Sequence, residues 1–201
     1  MCAHLDAASA RGFTGLILAG GASTRMGQDK AFVQIGGIAL VERVANRLED
    51  ARAAEVIVIG GDLDGLRTAG LDARADRYPS QGPLGGLITG LAELKDPESF
   101  AFVCACDQPE VDPQLPALLL GRCSDRSDAA IPMARGVPQV LAAVYRARAL
   151  GALQQSYDAG ERSLRRAVQE LDGVVVEGLP ERWFVDLDTP EELARYAAYD
   201  E

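Results

Sequence analysis

The sequence predicts an α/β protein, a three-layer α/β/α sandwich around a mostly parallel central sheet. Three observations carry this. Short apolar runs at Thr14–Ala19, Glu55–Ile59 and Phe100–Ala105 each lead into glycines or an aspartate, the pattern of strands buried on both faces. Stretches of helical periodicity separate them: Leu40–Leu48, with Leu40, Val41, Val44, Ala45 and Leu48 on one face, and Leu84–Leu94. That alternation favours right-handed crossovers and parallel pairing. Finally, 201 residues suit one domain with a well-buried core, so residues 1–201 are expected to form a single unit with a flexible first dozen.

The later chain continues the alternation. A helix is expected over Gln114–Leu120, strands over Ala129–Met133 and Val140–Tyr145, and helices over Leu150–Tyr157 and Ser163–Leu171. Val174–Val176 and Trp183–Val185 read as strands. Thr189, Pro190 and Glu192 announce a last helix: an N-cap, a proline at the first helical position and a capping-box partner. In such sheets ligands bind beyond the carboxyl ends of the strands. Gly20–Lys30, Gly60–Asp64 and Asp107–Asp112 follow three strands and are expected to meet there.

Composition excludes several chemistries. His4 is the only histidine, so neither a histidine-based zinc site nor a Ser-His-Asp triad is available. The cysteines Cys2, Cys104, Cys106 and Cys123 form no C-x-x-C pair; they read as reduced core residues, with Cys104 and Cys106 assigned to opposite faces of one strand. A net charge of −10 disfavours nucleic acid or an anionic membrane as partner. No stretch has the character of a signal peptide or the length of a membrane span, and a cytoplasmic location is expected.

Against that acidic background the segment Leu18-Ala-Gly-Gly-Ala-Ser-Thr-Arg-Met-Gly-Gln-Asp-Lys30 stands out. Glycines at 20, 21 and 27 let consecutive backbone N–H groups approach phosphate oxygens. Arg25 adds a bidentate fork and Lys30, one of two lysines in the chain, a mobile point charge. A plain strand-to-helix turn needs only one glycine. The segment is neither a Walker loop, since Gln28 follows Gly27, nor a dinucleotide fingerprint.

The segment resembles the signature L-A-G-G-x-S-x-R-M-G-x-D-K of nucleotidyltransferases with a Rossmann-like fold of the nucleotide-diphospho-sugar transferase type. Its short Arg25–Lys30 spacing is similar to that of the molybdenum cofactor branch, above all the molybdenum cofactor guanylyltransferases. Gly82-Pro-Leu-Gly-Gly-Leu87 resembles that family's G-P-L-x-G segment, whose glycines are expected to leave backbone groups free to hydrogen-bond a flat base edge, and Phe102–Pro109 its strand ending in C-D-x-P. The resemblance implies nucleotide binding by Leu18, Ala19, Gly20, Gly21, Lys30, Asp76, Gly82, Leu84 and Asp107. It implies catalysis by Arg25, Lys30 and Asp107, with Mg²⁺ on Asp107, and GTP and molybdopterin or molybdenum cofactor as substrates. Cofactor-delivering proteins and acceptor molybdoenzymes are the implied partners.

Leu141–Arg146 and Gly160–Arg162 resemble the part of the family that holds the pterin, with Arg162 the candidate for its phosphate. Arg165 and Arg166 read equally well as a solvated helix start. Before the last helix the family commonly shows N-x-N-T-P, whereas this chain has Asp186-Leu-Asp188-Thr-Pro190, a form also similar to that of cytidylyltransferases. Asp186 and Asp188 are the remaining pterin-side candidates, and two carboxylates beside an anionic phosphate need a cation or proton between them. CTP in place of GTP is thus one alternative; Gly21 and Gly82–Leu84 favour guanine. A nucleotide-binding regulator that turns nothing over is another, and the presence of Arg25, Lys30 and Asp107 together argues against it.

Overall fold

The computed structural model describes residues 12–20 and 29–200. In chain order the elements are β1 (Phe13–Leu18), the short pair β2 (Gln34–Ile35) and β3 (Ile38–Ala39), α1 (Leu40–Asp50), β4 (Glu55–Ile59), α2 (Leu63–Thr68), β5 (Asp72–Arg74) and α3 (Pro83–Leu91). Then come β6 (Phe100–Ala105), α4 (Leu115–Leu120), β7 (Ala129–Ala134), β8 (Val137–Pro138) and β9 (Ala142–Arg146). The chain continues through α5 (Leu150–Asp158), α6 (Leu164–Ala167), β10 (Gly173–Val176) and α7 (Pro190–Asp200).

The main sheet runs β10-β7-β9-β6-β1-β4-β5, with β8 pairing onto β7. Along the main path only β9 runs against its neighbours; β1 pairs in parallel with both β4 and β6, as do β4 with β5 and β10 with β7. The period of two along each strand divides the core. Phe13 and Ile17 of β1, Val58 of β4 and Phe102 and Cys104 of β6 face one layer with Val41, Val44 and Leu48 of α1. Leu16 and Leu18, Ile57 and Ile59, and Ala101 and Val103 face the other, with Leu87 and Leu91 of α3 and Leu153 of α5. Both faces are therefore covered, as a parallel sheet requires.

Close packing explains two of the glycines. A Cβ on Gly15 would stand 2.8 Å from the Leu48 side chain, and one on Gly85 only 2.6 Å from Tyr78 Cβ. Helix α3 is buried from Leu84 to Leu91. Gly85 and Gly86 thus let α3 lie close on Tyr78 and Leu18; they do not bare backbone for a base, as the sequence reading had it.

Two further expectations are corrected. Trp183–Val185 is not a strand: Glu181–Phe184 forms a single 3-10 turn after Pro180. Trp183 and Phe184 both enter the α1-side core, whereas consecutive residues of a strand point to opposite faces. Cys104 and Cys106 share that same core because residues two apart on an extended segment face the same way. Burial and then the Asp107 charge push the Cys106 thiol up to about 12, so it is no nucleophile near neutral pH. Among the described residues no helix is long and apolar enough to cross a membrane.

Candidate functional site

The carboxyl ends of β1, β4 and β6 meet on one edge, as their glycine and aspartate endings led us to expect. Gly60 and Gly61 take positive φ values of 79° and 75° after β4. A Cβ on Gly60 would come within 3.1 Å of Gly20 Cα, so at this point two backbones touch and no side chain fits between them. The Ala19 N–H donates to the Ile59 carbonyl (3.0 Å) and the Cys106 N–H to the Leu18 carbonyl (3.2 Å), which ties the three strand ends together.

Beside this junction lies a cleft of 340 Å³ lined by Gly20, Asp29, Gly60, Asp76, Pro79 and Ser80 among others. Asp76 is fixed in its wall. Its Oδ1 accepts from the Tyr78 N–H (2.9 Å) and lies 3.0 Å from the Thr89 hydroxyl, while Oδ2 is turned towards Gly20. Gly82, with φ 86°, is the residue before α3, two positions beyond Ser80 of that wall. Leu84, in the first turn of α3, is wholly buried and presents no side chain to the cleft. Leu18 is likewise a core residue whose carbonyl is already engaged.

Lys30 opens a one-turn 3-10 helix capped by Asp29, whose Oδ1 accepts from the Ala31 N–H (3.1 Å). The turn aims the lysine inward, and Lys30 is only 8% exposed. Its ammonium donates to Asp107 Oδ2 at 2.6 Å and to Asp188 Oδ1 at 2.7 Å. Burial alone would lower its pKa, but the hydrogen bonds to Asp107 and then Asp188 outweigh that and raise it, so Lys30 is a cation at every physiological pH.

The segment 185–189 is pinned to the end of β6. The Leu187 N–H donates to the Asp107 carbonyl (3.0 Å), and buried Gln108 donates through Nε2 to Asp186 Oδ1 (2.9 Å). The Gln108 amide has one orientation because its Oε1 accepts from the Ala105 N–H (3.0 Å). Leu187 itself enters a small apolar cluster with Ile35, Leu40 and Leu193. Thr189 and Glu192 form the expected capping box of α7, Thr189 N–H to Glu192 Oε2 at 2.9 Å and Glu192 N–H to Thr189 Oγ1 at 3.2 Å.

Asp186 is exposed overall, but its carboxylate is turned onto Gln108. Partial desolvation there, followed by the nearby Asp107 charge, raises its pKa above the usual 3.8. A raised pKa means the protonated form is the one the fold favours. That contribution is present in full below the unfolded-state pKa and is lost as pH rises through the folded one, leaving a cost at pH 7. Asp186→Asn, which keeps an acceptor for Gln108, should therefore raise the melting temperature at pH 7 by about 2 °C, the exposed setting limiting the gain. The gain should fade towards pH 4 in a fluorescence-monitored melt; a lower melting temperature at pH 7 would count against this account of Asp186.

The structure thus groups Lys30, Asp107, Asp186 and Asp188, and places Gly20 and Asp76 in the adjoining cleft. Arg25 and Gly21 lie outside the described residues. Arg162 is not in contact with the Asp186–Asp188 segment; it sits beside Gln81 and Gly82. Of Leu141–Arg146, Ala142–Arg146 form β9, antiparallel to β6: Ala142 pairs with Cys104 near the carboxyl end of β6, whereas Arg146 pairs with Phe100 at the opposite end of the sheet, away from the site. Asp29, Ser80 and Gln108 were not singled out from sequence; only the run Gln28-Asp-Lys30 and the Asp107-Gln-Pro109 turn hinted at the first and last.

A family model described as the MobA-like NTP transferase domain matches residues 15–174. A probable molybdenum cofactor guanylyltransferase of Natronomonas pharaonis is 36% identical, the match covering 90% of this chain and 95% of the relative. One of Chloroflexus aggregans is 35% identical over 92% and 94%. The crystal structure of molybdopterin-guanine dinucleotide biosynthesis protein A from Archaeoglobus fulgidus superposes with a TM-score of 0.75 at 21% identity, covering 94% and 98% of the two chains, which bears on the fold. With nucleotidyltransferase architecture, a three-strand edge that carries the site, and relatives over almost its whole length, the chain belongs to the MobA-like nucleotidyltransferase family, that of the molybdenum cofactor guanylyltransferases.

Proposed function

We propose that the protein transfers GMP from GTP to the phosphate of molybdopterin or molybdenum cofactor, releasing pyrophosphate, with Mg²⁺ as its metal and the cytoplasm as its location. The observation that carries this is the buried Lys30 ammonium held at Asp107 and Asp188 beside the Gly20–Asp76 cleft. Guanine is favoured by the relatives' names. Substrate-side partners would be proteins that deliver the cofactor or receive the product.

The acceptor phosphate is already ionised, so no general base is needed. One of its oxygens attacks the α-phosphorus, the bond to the bridging oxygen of the β-phosphate breaks, and the electron pair leaves with pyrophosphate. The chain's task is positioning and charge neutralisation. Asp76 and the Gly20 backbone would hold the nucleoside end in the cleft. Lys30 and Arg25 would hold the triphosphate. Arg162 would offer its Nη2, which makes no hydrogen bond among the described residues, to the acceptor.

The donor set fits a hard divalent cation. Asp107 and Asp188 each place an oxygen within hydrogen-bond reach of one ammonium, so both can address one cation. Among the described residues no three His, Cys, Asp or Glu side chains cluster for a metal. Two carboxylates suit Mg²⁺, which otherwise keeps water and phosphate oxygens. Bound there, it would supply charge neutralisation at the phosphates. Asp188 is thereby moved from the pterin side, where its sequence position suggested it, to the metal side. Pyrophosphate release with Mg²⁺ and molybdopterin should occur with GTP and not with CTP; equal rates, or release with CTP alone, would overturn the guanylyl reading.

A further inference from the structure

The stretch of cleft wall from Asp76 to Ser80 runs on into Gln81 and Gly82, and the whole turn is held from behind by residues far along the chain. Tyr78, whose N–H fixes Asp76, packs at a 47° tilt against Tyr157 of α5 with ring centroids 4.4 Å apart and sends its hydroxyl to Gln154 Oε1 at 3.0 Å. The Arg162 guanidinium lies over that Tyr157 ring, 3.9 Å from its centroid. Its Nη1 donates to the carbonyls of Tyr157 and Glu161, both at 2.8 Å, and its Nε to Gln81 Oε1 at 3.3 Å. The Arg162 carbonyl stands 3.6 Å from where a Gly82 Cβ would be. Glu161 shapes the loop, accepting the N–H groups of Arg162 and Ser163 at 2.8 and 2.7 Å.

We propose that Arg162 is a positioning residue for the nucleotide: it clamps the Gln81–Gly82 turn, which continues the cleft wall beyond Ser80, through Tyr157 and Gln81, to the α5–α6 loop. This rests on the reading of the cleft as the nucleotide site. The physical reason is pre-organisation. An exposed turn with positive φ at Ser80 and Gly82 has several conformations open to it, and a ligand that must select one binds more weakly. A planar guanidinium on an aromatic ring, with its inner N–H groups on two carbonyls, loses little further freedom when it bonds Gln81.

The test is GTP binding with Mg²⁺ and no acceptor present, by calorimetry, for Arg162→Gln, Gln81→Ala and the double variant. Each single change should weaken GTP by about five- to tenfold, and the double variant should be no worse than the weaker single, because both remove one contact. Melting temperatures should stay within about 3 °C of the parent, since the contact is exposed. GTP affinity unchanged in Arg162→Gln, with only the acceptor's KM raised, would overturn the proposal. So would parallel losses of melting temperature, GTP affinity and acceptor KM, which mark a residue that merely holds the fold. If Arg162→Gln does not fold, Gln81→Ala tests the contact alone. Asp76→Asn separates the two readings: if it leaves GTP binding intact the cleft is not the nucleotide site, whereas weakened binding in Asp76→Asn with none in Arg162→Gln fails the clamp only.

Discussion

Asp107→Asn is expected to lower turnover by about 10³-fold, the scale seen when one preorganised electrostatic group of a charge-stabilising site is lost. The change is nearly isosteric and leaves the backbone in place, so the Asp107 carbonyl still accepts from Leu187. Lys30 keeps Asp188 as a partner, and the carboxylate beside Asp186 is removed, which relieves one of the causes of its raised pKa. The melting temperature should therefore hold within about 2 °C. Steady-state pyrophosphate release alongside a thermal melt separates the two effects. A folded Asp107→Asn protein with full turnover would remove this carboxylate from the reaction.

Lys30→Met should strike both binding and stability. The buried ammonium is the one described cation beside the phosphate end of the site, and a charge-assisted hydrogen bond of this kind contributes about 1.5–3 kcal/mol, so GTP should bind about 10- to 100-fold more weakly. In the free protein, Asp107 and Asp188 are left facing each other without a counter-charge. Asp188 is 69% exposed and can hydrate, which limits the penalty to about 1–2 kcal/mol. A fall in melting temperature of about 2–8 °C follows for a chain of this size. Calorimetry with GTP and a melt of the free protein check the two halves independently. A variant as stable as the parent would show that the ammonium does not offset the carboxylates.

The sequence revealed the scaffold because its strands are short apolar runs whose endings change character abruptly, and because α1 and α7 carry clean apolar faces or caps. Asp107 and Lys30 were legible for the same reason: each is a charged residue next to a buried or glycine-rich segment, where charge is costly unless used. Asp188 was visible as a residue but not in its place. Its partner Lys30 is 158 positions away, and nothing local tells which strand end a returning segment will dock on. The contribution of Gly85 and Gly86 was misread because a glycine that frees backbone and one that admits a neighbouring side chain look alike in sequence; only Tyr78 and Leu18 beneath them decide. Trp183–Val185 has strand-like composition, and the burial of both aromatic rings on one side overrode it.

The docking of residues 185–189 onto the end of β6 also bears on the order in which the protein comes into being. A chain emerges from the ribosome at roughly 5–20 residues per second and its early parts begin to fold first. The strands whose ends line the cleft, β1, β4 and β5, and β6, which carries Asp107 beyond its end, are all complete by Ala105. Asp186, Leu187 and Asp188 follow only after some eighty more residues have been made, several seconds later at that pace. During that interval Lys30 has Asp107 but not its second carboxylate, and Gln108 has nothing to donate to at residue 186. A nascent chain can thus possess the strands of the cleft before it possesses the carboxylate pair, and the Lys30–Asp107–Asp188 cluster is completed only as the chain nears α7.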